Sequence, residues 1–131
     1  MIDMLTYFGE ISISSANAAA PDVTSPRIVD MIDACRLEDS VPYLRVSARV
    51  IEVPSQDVTV SIVGGSETSG SGTAAVIDSP ETLALRTFKA EGLKVGDTLK
   101  FDFPLAHTKY IQAKVNTKGT AKLAVALEFG A

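Results

Sequence analysis

Apolar and polar residues alternate along the second two-thirds of the chain. From Leu123 to Phe129 the residues Leu123, Val125, Leu127 and Phe129 share one face, and Lys122, Ala124, Ala126 and Glu128 share the other. A period of two marks a half-buried strand, because successive side chains leave a pleated strand on opposite sides. Leu99, Phe101 and Phe103 repeat the pattern against Lys100 and Asp102, and Pro104 ends that strand by removing a ladder donor. Leu44, Val46, Ala48 and Val50 alternate with Arg45, Ser47 and Arg49, and Val58, Val60 and Ile62 alternate with Thr59 and Ser61. Tyr110 to Val115 and Leu83 to Phe88 add two candidate strands. The turn residues Pro54-Ser55-Gln56-Asp57 predict a hairpin between the runs they separate, and Asn116-Thr117-Lys118-Gly119 predict another between the last two strands. Six or seven short strands with turns between them predict an all-β, antiparallel sandwich or barrel rather than a βαβ architecture.

Three stretches break the alternation. Gly64 to Gly72 is polar and glycine-rich, which predicts an exposed loop or loose connection. Residues 1–26 combine a short apolar opening, Leu5-Thr6-Tyr7-Phe8, an alternating Ile11-Ser12-Ile13 and the small-residue run Ala16 to Ala20. Such a stretch buries little of its own, so it reads as an N-terminal arm ordered by a neighbour or as a first strand on the chain's own core. Residues 25–38 allow the chain's one short helix, with Ser25 as N-cap, Pro26 at the first helical position and Ile28, Met31, Ile32 and Cys35 on one face. An irregular extended passage is the alternative.

The length of 131 residues fits a single domain. With a net charge of -4 and its basic residues standing singly, the chain shows no basic patch, so nucleic acid is not an expected partner. No apolar run approaches the roughly 20 residues that cross a bilayer, so no membrane partner is expected, and MIDMLTYFGE lacks the basic flank of a secretory signal. One cysteine, Cys35, forms no intrachain disulfide, which suits a reducing compartment.

The residues that could carry chemistry do not converge. His107 has no nucleophile or metal-ligating partner at a recognisable spacing. Asp30, Asp33, Glu38 and Asp39 do not match a calcium loop, and with Glu52, Glu81 and Glu91 they read as solvated carboxylates. The glycine-rich stretch lacks the Gly-Lys-Ser/Thr ending of a phosphate loop, and Cys35 has no basic neighbour to activate it. The expectation is a protein that is not an enzyme, with no catalytic, cofactor-binding or metal-binding residues.

A family likeness is spread over the chain. It runs from Met1-Ile2-Asp3-Met4-Leu5-Thr6-Tyr7-Phe8 and the small residues Ser14, Ser15, Ala16 and Ala18, through Ile28-Val29-Asp30-Met31 and Ser40-Val41-Pro42-Tyr43-Leu44-Arg45-Val46, to Val58-Thr59-Val60-Ser61-Ile62. Ser79-Pro80 before Leu83, Gly96 before Leu99-Lys100-Phe101, Pro104 before Lys109-Tyr110-Ile111, and the closing Ala121 to Phe129 continue it in the same order. In these motifs the chain resembles the small capsid cement, or decoration, proteins of tailed bacteriophages. It departs from them after the Val-Asp pair, where their glycine-rich segment is replaced by Met31-Ile32-Asp33-Ala34-Cys35-Arg36.

The resemblance implies a jelly-roll-like β-sandwich made in the bacterial host cytoplasm and carried on the exterior of the virion head. There it would self-associate as a homodimer or homotrimer at capsid symmetry axes and clamp major capsid protein subunits. Leu5, Tyr7, Phe8 and Ile11 are the candidate contacts to a protein partner, since aromatic side chains often anchor interfaces. A non-catalytic binding module, such as a carbohydrate-binding or tail accessory protein, is the alternative function.

Overall fold

The computed structural model describes residues 7–13, 22–31, 43–72, 75–104 and 108–130. Their strands are β1 (Tyr7–Ile13), β2 (Asp22–Thr24), β3 (Val29–Asp30), β4 (Tyr43–Glu52), β5 (Val58–Gly65), β6 (Thr68–Ser69), β7 (Val76–Ile77), β8 (Glu81–Phe88), β9 (Thr98–Pro104), β10 (Tyr110–Thr117) and β11 (Ala121–Gly130). Each strand predicted from alternation is present. Leu123, Val125 and Leu127 point inward, as do Leu44, Val46, Ala48 and Val50.

The strands form two antiparallel sheets, ordered β1-β11-β4-β9 and β2-β10-β5-β8, with β3 also pairing β10. With β2 and β3 counted as two parts of one interrupted strand, this is the eight-stranded order of a jelly roll, in which the chain passes repeatedly from one sheet to the other. The inner faces meet in one core that includes Phe8, Ile11, Leu44, Ile62, Ile111 and Leu123. Phe88 and Phe101 lie 6.2 Å apart between ring centroids and close the flank where β8 and β9 adjoin.

Both predicted hairpins are corrected. β4 pairs with β11 and β9, and β5 pairs with β10 and β8, so residues 53–57 carry the chain between sheets. Residues 118–120 do the same from β10 to β11. The two connections bond to each other instead. Ser55 N donates to Thr120 O at 2.9 Å, Thr120 N donates to Ser55 Oγ at 2.8 Å, and Thr117 Oγ1 donates to Asp57 O at 3.0 Å. The third connection at this end, residues 89–97, joins through Ala90 N to Asp57 Oδ1 at 3.0 Å.

The glycine-rich stretch is also more ordered than its composition predicts. Gly64 and Gly65 finish β5, and β6 pairs with β7 in a small insertion hairpin. A Cβ on Gly65 would sit 2.5 Å from Ile77 Cγ2, so glycine lets the insertion pack onto the sheet. Within residues 25–38, the described part up to Asp30 is extended rather than helical, with Val29–Asp30 forming β3; residues 32–38 lie outside the described residues. Ser25 does not cap a helix. Its N–H donates to Ala113 O at 2.8 Å and its hydroxyl accepts from Ala113 N at 3.2 Å, which pins the passage between β2 and β3 to β10.

Candidate interaction surface

The residues proposed for partner contact separate sharply. Tyr7 starts β1 opposite Ala126 of β11, and a register shift follows between Tyr7 and Gly9. That shift turns Phe8 inward. Phe8 is 0% exposed and Ile11 is 2% exposed, so both belong to the chain's own core and are corrected as surface contacts. Tyr7 stays partly exposed on the outer face, and Leu5 lies outside the described residues. Of the two readings left open for the N-terminal region, the first-strand reading holds from residue 7 to residue 13.

Tyr7 shares its surface with Glu10. Burial raises the phenol above its ordinary value of 10.0, and the neighbouring Glu10 carboxylate raises it further. Both causes favour the neutral, protonated phenol.

The outer face of the sheet β1-β11-β4-β9 carries Tyr7 and Glu10 from β1, Lys122, Ala124, Ala126 and Glu128 from β11, Arg45, Ser47, Arg49 and Glu52 from β4, and Thr98, Lys100 and Asp102 from β9. Tall side chains stand around short ones. Ala124, Ala126 and Ser47 floor a depression of about 390 Å3 walled by Tyr7, Glu10, Arg49, Ile51, Thr98 and Glu128. Ion pairs among the described residues cross the face from Arg45 Nε to Asp102 Oδ1 at 2.7 Å, from Lys100 to Glu128 at 3.8 Å and from Lys122 to Glu10 at 3.8 Å.

A second cleft, of about 480 Å3, lies where the insertion hairpin meets the start of β10, and Glu67, Asp78, Glu81 and Lys109 are among its lining residues. It mixes both charges. Among the described residues, no group of three or more His, Cys, Asp or Glu side chains could hold a metal ion. His107, Cys35, Asp33, Glu38 and Asp39 lie outside the described residues, while Asp30 sits in β3 opposite Tyr110. Glu52, Glu81 and Glu91 are exposed.

The outer-face pattern was present in the sequence as the polar half of each alternating run. Which runs stand side by side was not, because that depends on strand order. No protein-family model matches the chain, and no curated protein matches it significantly. The fold defines the chain as a jelly-roll β-sandwich with a charged outer face on the sheet β1-β11-β4-β9.

Proposed function

We propose that the chain is a capsid cement protein of a tailed bacteriophage, which binds the outer surface of the head and stabilises contacts between major capsid protein subunits. The observation that carries this reading is the jelly-roll order β1-β11-β4-β9 over β2-β10-β5-β8, with three sheet-crossing connections bonded together at one end. A cement protein works by being a stiff body with surfaces left for neighbours. It has no reaction to perform.

The likeness in motif order along the chain supports the same reading. A repeated lattice lets many weak contacts act together, so each copy can stabilise its neighbours through modest interfaces. A sugar-binding module on this sandwich would favour broad exposed aromatic platforms. The chain has no tryptophan, and Tyr7 and Tyr110 are both partly buried.

The test is co-sedimentation of the purified, folded protein with expanded phage heads that lack decoration. Saturable binding that raises the temperature at which heads release DNA is the expected result. A folded protein that binds no mature head sinks the proposal.

A further inference from the structure

The sheets end in edge strands along the two flanks of the sandwich, and most of these edges are closed or blunted. Beside β1, Arg27 N donates to Phe8 O at 3.0 Å and the Pro26 ring lies against Gly9. β2 and β3 are three and two residues long. β9 turns Lys100 and Asp102 outward into ion pairs and ends at Pro104. Short strands, charges, proline and covering segments are the devices that keep an edge from pairing with another chain.

β8 carries little of that protection. It is eight residues long, pairs with β5 on one side, and no strand among the described residues pairs with it on the other. Alternate residues of an edge strand hold an N–H and a C=O that point away from the sheet, a row of donors and acceptors at the spacing of another strand. A register shift between Ile62 and Val63 of β5 leaves residues 84–88 as the regular part of β8, about 17 Å long. Leu85 lies within it on the outer face, opposite Ser61 and 62% exposed. Arg86 leaves the strand on the opposite side, 5.8 Å from the centroid of the Phe88 ring, and none of the ion pairs among the described residues uses it.

We propose that the free edge of β8 takes an extended segment of another protein as an added strand. The backbone row sets the shape of the occupant, since an extended chain repeats its own donors and acceptors at that spacing. The side chains set its chemistry: an apolar residue beside Leu85 and, on the opposite face, an acidic residue beside Arg86. A second copy of β8 does not meet these demands. A twofold axis through Ala84 or Leu85 lays the regular stretch across the register shift, and one through Arg86 sets Arg86 on Arg86. An axis through Thr87 leaves only residues 86–88 paired within the strand. The inference stands without a capsid; under the proposed function the added segment belongs to the major capsid protein.

The test is selection of short random peptides, displayed on yeast, by the purified full chain, followed by amide hydrogen exchange of the chain with a synthetic copy of an enriched peptide. Enriched peptides should alternate apolar and polar residues with a period of two and set an acidic residue next to an apolar one. The synthetic copy should slow exchange at alternate amides of residues 84–88. Leu85→Lys should weaken its binding by about fivefold. Arg86→Glu should weaken it until the acidic residue of the peptide is changed to lysine, with melting temperatures showing that both variants fold. No enrichment, enriched peptides without the alternation, binding indifferent to Leu85→Lys or to Arg86→Glu, or protection confined to amides outside β8 overturns the proposal. Protection of residues 84–88 that rises with the concentration of the chain alone makes a second copy the occupant and overturns it too. Peptides that bind in the expected way while heads go unbound support the strand site and remove only the capsid reading.

Discussion

The side-chain amide of Gln112 donates to the carbonyl of Ser25 at 2.8 Å, and its second hydrogen goes to the carbonyl of Ala75 at 3.0 Å. Gln112 is 1% exposed on β10, so one buried amide ties the passage between β2 and β3 to the residue just before β7 of the insertion hairpin. Gln112→Leu would leave two carbonyls without a donor and should cost about 2 to 4 kcal/mol in urea unfolding. Gln112→Glu should be at least as damaging at neutral pH, because a carboxylate would then face two carbonyl oxygens. A milder loss for the glutamate would show that the donors are not what matters.

The neighbours Tyr7 and Phe8 should respond in opposite ways. Phe8→Ala removes a ring that is fully enclosed by the core and should cost about 3 to 5 kcal/mol. Tyr7→Ala removes a partly exposed ring from the outer face and should cost under about 1.5 kcal/mol. Denaturant midpoints with unchanged slopes would measure both. Equal losses would contradict the inward turn of Phe8.

That inward turn depends on Gly9. Its φ is +111°, and a Cβ there would lie 2.5 Å from Pro26 Cγ. Backbone strain and the clash act together, so Gly9→Ala should cost about 2 to 4 kcal/mol. Thermal unfolding beside Gly92→Ala isolates the clash, because Gly92 also has positive φ, at +86°, but open space around it. A similar loss at both positions would leave the contact with Pro26 without weight.

Strand identity was legible because burial on one face imposes a period of two, and Leu99-Phe101-Phe103 shows it without help from the rest of the fold. Strand partnership was not. Residues 53–57 and 118–120 have the turn chemistry of hairpins, yet a local turn can equally take the chain across a sandwich, and the bonds between Ser55 and Thr120 that decide the matter join residues far apart in sequence. Ser25-Pro26 reads as a helix start for the same reason: a serine that can cap a helix can also bond the N–H of a distant strand. The glycines at 64 and 65 suggest flexibility by composition, whereas their packing role depends on Thr108, Leu83 and Ile77. On the candidate surface, the alternating polar residues were visible, but Lys122 stands opposite Glu52, and Glu128 opposite Arg45, only once β11 and β4 are neighbours.

Tyr7 gives this surface a pH dependence. Burial and the Glu10 carboxylate raise its pKa in the folded state, so the unfolded chain releases the phenolic proton first as pH rises. Stability from the protonated phenol is fully present below the unfolded value near 10 and is lost as pH climbs through the folded value. The informative quantity is the difference between the wild type and Tyr7→Phe. Below pH 9 the two should show parallel unfolding free energies, and above about pH 10 the wild type should fall away from the variant. Parallel curves throughout would mean that the phenol feels neither its burial nor Glu10. Because solvent reaches part of the ring, the separation should shrink when Glu10→Gln removes the neighbouring charge, without vanishing, since burial is the larger of the two causes.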